Sequence, residues 1–412
     1  MTQGRVSRLW HRITGRTQLE RLAALEATVG KFGRAQREDL AAQQAQVARI
    51  TQELAGKAEE RAVRRLERRL DDIQASLVQQ DRDYGTALER AGRLDEQGVD
   101  SRRFARRIEQ MQRHNRPIVI GPWTGEVGFE LLYWVPFLRW FATAFSVAPE
   151  RLLIVSRGGT ASWYRPFATG YRDILDYLTP EEFRRRHDER VAANGEQKQT
   201  QVLAFERQVL RDLTKDVHSR SMLHPSTMYG LFNPFWWGHV DAEWVHRFAK
   251  YERLASPGLR TEESRPPDTP YTAVKFYFND CFPNTPDNRA FVRRTLQALT
   301  ERGPVVSLAT GLSLDDHASD EAEAIGVRTL PHDMHPRENL ALQTALVAGA
   351  SAFVGTYGGF SYLAPFLGVK ATAYFSDPQG YSPRHLLMAR SALESMGAGG
   401  LLDVRSSGVS GA

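Results

Sequence analysis

The sequence is poor in cysteine: Cys281 is the only one in 412 residues. That excludes an internal disulfide and any zinc site built on cysteines, and it suits a reducing compartment. No stretch of eighteen apolar residues occurs, so no segment reads as a membrane-spanning helix. The first sixteen residues, MTQGRVSRLWHRITGR, lack the apolar centre of a signal peptide. Together these absences predict a cytoplasmic protein. Proline is missing from residues 1–116 although the chain holds 20. Acidic and basic residues nearly balance, with a formal charge of +5.

That charge is unevenly placed. Residues 1–116 carry 24 Lys and Arg against 17 Asp and Glu, a net +7, which leaves −2 for the rest. A nucleic-acid-binding core would carry its basic patch on the folded part, so no nucleic-acid partner is expected. The basic front end reads as long helix. Leu22, Leu25, Val29 and Phe32 step by three and four, and Leu40, Val47 and Leu54 by seven. Leu66, Leu70, Ile73, Leu77, Tyr84 and Leu88 resume the pattern after a slip. This is a coiled-coil seam, expected to join copies of the chain into a homo-oligomer; a spacer stalk is the alternative. Ahead of it, Leu9, Trp10 and Ile13 lie among Arg5, Arg8, Arg12 and Arg16. Residues 5–16 are thus a candidate for peripheral membrane contact, against the alternative of a solvated terminus.

From residue 117 the pattern becomes α/β. Residues 117–121 and 151–156 read as strands, with a helix over 129–145 between them. Residues 160–178 and 180–220 read as helical pieces. The segment from Leu231 to His239 reads as a loop, its Phe and Trp residues either lining a sugar or lipid site or anchoring a core. A proline-rich linker spans 257–270. Beyond it strands are expected at 271–278, 304–309, 326–330, 351–355 and 371–375. Helices alternate with them at 287–302, 338–348 and 360–367, and a last one at 384–396 closes the chain. The expected fold class is α/β, with two Rossmann-like domains after a helical coiled coil. The domains are a basic segment and coil at 1–116, a first domain at 117–256, the linker, and a second domain at 271–412.

Two turns carry the chemistry. In the second half a strand ends at Thr356-Tyr357-Gly358-Gly359, and a helix opens near Phe360 and Ser361. Glycines allow close backbone approach, and the helix start offers unpaired amides, an arrangement that binds phosphate. In the first half, Gly125-Glu126-Val127 follows the first strand and precedes a helix holding Leu131 and Val135-Pro136. Lys275, in the strand Val274-Lys275-Phe276-Tyr277, calls for an anion or else faces an edge. Asn279, Thr310 and Gly311 follow strand ends. His335, like His332, lies in the loop before the helix at 338, and Asp377 follows the last of these strands as sugar contact or turn residue. Asp315, Asp316 and His317 are adjacent in sequence, which does not make them converge on one ion, and a solvated loop is expected there.

Residues 338–376 resemble the nucleotide-sugar-binding half of GT-B glycosyltransferases, particularly the heptosyltransferase-like group, with Tyr357-Gly358-Gly359-Phe360-Ser361 where that group has an acidic-glycine version. The Gly125-Glu126-Val127 turn is similar to the group's Gly-Asp-Val turn, with Glu for Asp. The resemblance implies an inverting, metal-independent transfer with no cofactor. The sugar would pass from a nucleotide-sugar donor to a glycan or lipid-linked acceptor in surface polysaccharide synthesis. It also implies that Glu126 is the general base, with Gly125 beside it and Glu130 as its rival. The donor would be held by Lys275, Asn279, Thr310, Gly311, Thr356, Tyr357, Gly358, Gly359, Phe360 and Ser361. A catalytically inactive scaffold of the same fold and a nucleotide-sugar epimerase are the alternative functions.

Overall fold

The computed structural model describes residues 116–408, apart from 196–197, 258–267, 311–325 and 331–333, together with Met111 and a few positions between 42 and 49. The coiled coil, the 5–16 segment, Gly311, Asp315, Asp316, His317 and His332 lie outside the described residues, as does most of the linker. Residues 107–412 form one compact unit, which holds two separate sheets.

The first sheet comprises β1 (Ile118–Ile120), β2 (Leu152–Ser156), β3 (Gly170–Asp173) and β4 (Ser221–Leu223), in the order β3-β2-β1-β4. The second comprises β5 (Thr272–Lys275), β6 (Val305–Ser307), β7 (Val327–Arg328), β8 (Ala352–Thr356), β9 (Ala371–Phe375) and β10 (Leu402–Ser406), in the order β10-β9-β8-β5-β6-β7. Every pairing is parallel. Parallel strands are covered by helices on both faces, so their central members read as apolar runs: Ile118, Val119 and Ile120 are all buried.

Each sheet reverses direction once. From β1 the chain builds outward to β2 and β3, then returns to add β4 on the other side of β1. From β5 it builds to β6 and β7, then returns to add β8 beside β5. Open α/β sheets bind ligands where the strand order reverses, at the carboxyl ends of the strands. The Glu126 turn follows β1 and the Gly358-Gly359 turn follows β8, so each occupies the reversal point of its own sheet.

Several elements differ from the sequence reading. Residues 170–173 form a strand rather than helix, and 221–223 form another. Both are short edge strands with half-buried residues, too brief to show a period. The Leu231–His239 stretch is not a loop: a helix runs over Ser226–Trp236 with Pro234 inside it. Burial of Leu231, Phe232 and Phe235 outweighs the poor helix propensity of its glycine and proline. These side chains are core anchors; Trp237 alone of that run is exposed, at 42%. The chain adds β10 after the Pro383–Ser395 helix instead of ending on that helix.

The helix after β1 is α-helical over Val127–Phe129, π-helical over Glu130–Trp134 and α-helical again over Val135–Ala144. Pro136 explains part of the widened turn. It has no N–H for the carbonyl of Leu132 four residues back, and the Tyr251 hydroxyl donates to that carbonyl instead, at 2.9 Å.

The two halves meet at several places, among them the following three. A Cβ placed on Gly359 would lie 2.6 Å from the Gly128 nitrogen, so two helix starts touch backbone to backbone. The Gly158 carbonyl accepts from the amides of Leu340 and Ala341 at 2.8 and 2.9 Å, capping the Asn339–Gly349 helix. Trp163 Nε1 donates to Thr344 Oγ1 at 3.0 Å, with both residues fully buried. Gly359→Ala should therefore destabilise the protein by about 1–3 kcal/mol, because neither backbone can retreat. Gly230→Ala, in a helix interior with nothing within 4 Å of the added carbon, should stabilise it by up to about 1 kcal/mol. Denaturant melts of the two variants check the pair, and equal shifts would refute the contact.

Candidate functional site

Glu126 stands at the N-cap of its helix with extended backbone and is exposed. Gly125 behind it is buried; its carbonyl accepts from Arg157 Nη2 at 2.5 Å. Gln199, fully buried, holds the same turn from the other side. Its Oε1 accepts from the Thr124 amide at 3.0 Å, and its Nε2 donates to the Pro122 carbonyl at 2.9 Å and to Glu206 at 3.1 Å. The glutamate thus projects from a turn whose carbonyls and amides are fixed by side chains from distant segments.

In the second turn, Ser361 Oγ donates to the Gly358 carbonyl at 2.6 Å and accepts from the Gly358 amide at 3.2 Å. Thr356 is spent on β5's extension: its Oγ1 accepts from the Tyr277 amide at 3.0 Å and donates to the Tyr277 carbonyl at 2.8 Å. The hydroxyl of Tyr357 bonds that of Tyr362 at 2.7 Å. These three side chains face inward. Among the described residues no acceptor meets the amides of Gly359 and Phe360 at the start of the Gly359–Phe366 helix.

Lys275 ends β5 and reaches this place. Its Nζ lies 3.9 Å from the centroid of the Phe360 ring and donates to Gln343 Oε1 at 2.6 Å. Gln343 is in turn fixed by Asn339, whose Oδ1 accepts from Gln343 Nε2 at 2.6 Å. The lysine is held beside the helix start, where positive charge and bare amides reinforce each other toward an anion.

The remaining expected site residues are placed as follows. Asn279 Oδ1 accepts from the Phe282 amide at 2.9 Å and from Cys281 Sγ, so its side chain closes a turn. Asp377 Oδ1 accepts from the Gln379 amide at 2.8 Å, also within a turn. His335 is exposed and caps the Pro336–Glu338 turn through the Arg337 amide. Thr310 is buried just after β6. Among the described residues no three His, Cys, Asp or Glu side chains converge as a metal site, and no helix is long and apolar enough to cross a membrane.

Glu130 is wholly buried. One carboxylate oxygen accepts from Ser156 Oγ at 2.7 Å and from the Tyr164 hydroxyl. Burial pushes its pKa up from 4.5 to about 7, against the nearby Arg157 charge and these two hydrogen bonds. Asp173 is also raised by burial, although it accepts from the Gly158 and Gly159 amides, the Leu175 amide and the Tyr171 hydroxyl. A fully buried Glu130 cannot meet an acceptor hydroxyl, so the exposed Glu126 is the better candidate for proton removal.

Residues that no motif announced also gather here. Gln343 reads as an ordinary helix position until Lys275 is seen against it. Lys198 Nζ lies over the rings of Phe129 and Trp236, at 5.6 and 5.1 Å. His385 Nδ1 bonds the Tyr133 hydroxyl at 2.7 Å, and burial with the Lys198 charge pushes its pKa down to about 4, so the ring is neutral at neutral pH. Arg157, beside Gly158 and Gly159 at the end of β2, carried a signal in its position alone.

No family model and no curated protein matches the chain. Solved structures do. The chain is similar to Escherichia coli ADP-heptose lipopolysaccharide heptosyltransferase II at 12% identity, covering 71% of this chain and 89% of that one, with a TM-score of 0.37. A glycosyl transferase family 9 protein from Veillonella parvula aligns at 11% identity over 71% and 86%, TM-score 0.38. A UDP-N-acetylglucosamine 2-epimerase assignment from Listeria monocytogenes aligns at 9% identity over 72% and 91%, TM-score 0.30.

The raised Glu130 pKa has a sign. Between pH 4.5 and about 7 the unfolded chain releases this proton while the folded one keeps it. Stability contributed by Glu130 therefore falls as pH rises through that window and is level above it, a loss of about 3 kcal/mol. His385 acts oppositely, costing stability as pH falls from 6.5 toward about 4. Comparing wild type with Glu130→Gln isolates the first effect. The variant should gain on wild type between pH 5 and pH 8 in denaturant melts; a constant difference would refute the assignment.

Proposed function

We propose that the protein is a glycosyltransferase that moves a sugar from a nucleotide-sugar donor to a hydroxyl of a glycan or lipid-linked acceptor, with inversion and without a bound metal. The observation that carries this reading is the meeting of two turns. The turn bearing Glu126 and the turn opening the Gly359–Phe366 helix lie at the reversal points of separate sheets and touch through Gly128 and Gly359. One side offers an exposed carboxylate. The other offers bare amides and Lys275.

In this reading the donor's diphosphate lies against the Gly359 and Phe360 amides, with Lys275 neutralising charge that grows on it as the glycosidic bond breaks. Glu126 takes the proton of the acceptor hydroxyl as its oxygen attacks the anomeric carbon. The nucleoside diphosphate leaves with the bonding electrons, and the proton stays on the glutamate until solvent removes it. Gln199 and Arg157 hold the Glu126 turn, so that little reorganisation is needed at the moment of reaction.

A thermal-shift screen of UDP, GDP, ADP and CMP tests the donor side, since any ligand of the folded state raises stability by mass action. One of the four should stabilise the protein, and Lys275→Ala should weaken that ligand at least tenfold. With the donor identified, Glu126→Gln should lose turnover by roughly a hundredfold or more while nucleotide affinity stays within twofold. No stabilisation by any of the four would favour an inactive scaffold. Sugar isomerisation without an acceptor would favour an epimerase.

A further inference from the structure

Glu130 is the one fully buried carboxylate on the helix that Glu126 begins, four residues on and therefore one turn away. It sits in the π-helical turn, a kind of helix irregularity common at functional sites. Ser156 and Tyr164 both donate to the same oxygen, and Thr160 Oγ1 donates to Ser156 Oγ at 3.3 Å. The other oxygen, Oε2, is buried and meets no donor among the described residues. Nothing in the proposed chemistry uses this group.

Its surroundings supply a task. Arg157 follows Ser156 directly, is 2% exposed, and acts on Glu130 by charge. The same guanidinium donates through Nη2 to the Gly125 carbonyl. The geometry links the three groups through Ser156: its hydroxyl donates to Glu130, Arg157 is the next residue, and Arg157 donates to the peptide that joins Gly125 to Glu126. We propose that Glu130 is a positioning residue: its charge holds Arg157 in place, and Arg157 fixes the Gly125–Glu126 peptide and with it the direction of the Glu126 carboxylate. The catalytic side of this inference rests on the reading of Glu126 as base; the coupling itself does not.

An ionised Glu130 attracts Arg157, and a protonated one does not. The groups facing Glu130 are Arg157 from the turn after β2, Tyr164 from the Ala161–Tyr164 helix, and Asp173 and Tyr171 from β3. Both tyrosines have hydroxyls pushed well above their usual range and stay neutral. Asp173 is the competing titrating group.

The sequence offers a clean probe. Glu126-Val127 is the one Glu–Val step in the chain, so the full-length protein labelled with carbonyl-carbon-13 glutamate and nitrogen-15 valine gives a single cross-peak for the Val127 amide. In wild type that peak should move with pH, with a midpoint near 7. Tyr164→Phe removes a donor that favours the carboxylate, so the midpoint should rise. In Glu130→Gln the transition should disappear. With the donor identified, kcat of wild type should show the same midpoint, and Glu130→Gln should lower kcat at least tenfold with donor KM within twofold.

A Val127 peak that is flat with pH in wild type overturns the proposal, as does the same midpoint persisting in Glu130→Gln, which would assign the transition to Asp173. Should Glu130→Gln not fold, an unmoved midpoint in Tyr164→Phe overturns it equally. A titrating Val127 in a protein that binds none of the four nucleotides leaves the coupling intact and removes the glycosyltransferase reading instead.

Discussion

The backbone contact between Gly128 and Gly359 governs how this molecule is put together. Two helices, each starting at the reversal point of a different parallel sheet, present their first turns to each other with no side chain between. A methyl group on Gly359 would overlap the opposite main chain. Because the starts of helices concentrate unpaired amides, bringing two of them together creates a region that favours negative charge. The fold places Lys275 beside one and a glutamate on the other. A carboxylate there is tolerable because Glu126 is exposed.

Around that contact lie supports that do no chemistry. Gln199, itself buried, holds the loop from Pro122 to Thr124, while Arg157 holds Gly125. On the other side Ser361 closes the Gly358 turn on itself, and Asn339 fixes Gln343, which fixes Lys275. Each chain ends on a main-chain group or on a side chain of the site. Buried polar groups are costly unless matched. Here their matching is what keeps two short loops from wandering.

Much of this was legible in the sequence, for a physical reason. A buried central strand such as Ile118–Ile120 is apolar throughout, and the turns that follow β1 and β8 need glycine where main chains approach, so both announced themselves. Short edge strands were not legible: Gly170–Asp173 and Ser221–Leu223 are half-buried and too brief for a pattern. The Ser226–Trp236 helix was hidden because proline and glycine argued locally for a loop while three buried apolar side chains argued, only in the folded state, for a helix. Site residues divided in the same way. Turn glycines and strand-end charges were visible. Thr356, Tyr357 and Asn279 could not be told from ligand contacts until their hydroxyls and amide were seen bonded within the protein. Gln343, Gln199 and Arg157 matter only through partners far away in sequence.

Tyr251 belongs to a strap whose wider role follows from its neighbours. The amide of Lys250 donates to the Pro136 carbonyl in the first half, and the amide of Leu254 donates to the Phe366 carbonyl in the second. Five residues are thus stitched to both halves, at the middle of the helix over 127–144 and at the end of the Gly359–Phe366 helix, the two whose beginnings touch at Gly128 and Gly359. Admission of a bulky molecule between those beginnings would have this strap as its fulcrum: the helices would part at their heads and stay tethered where the strap crosses them, like the blades of a pair of tongs.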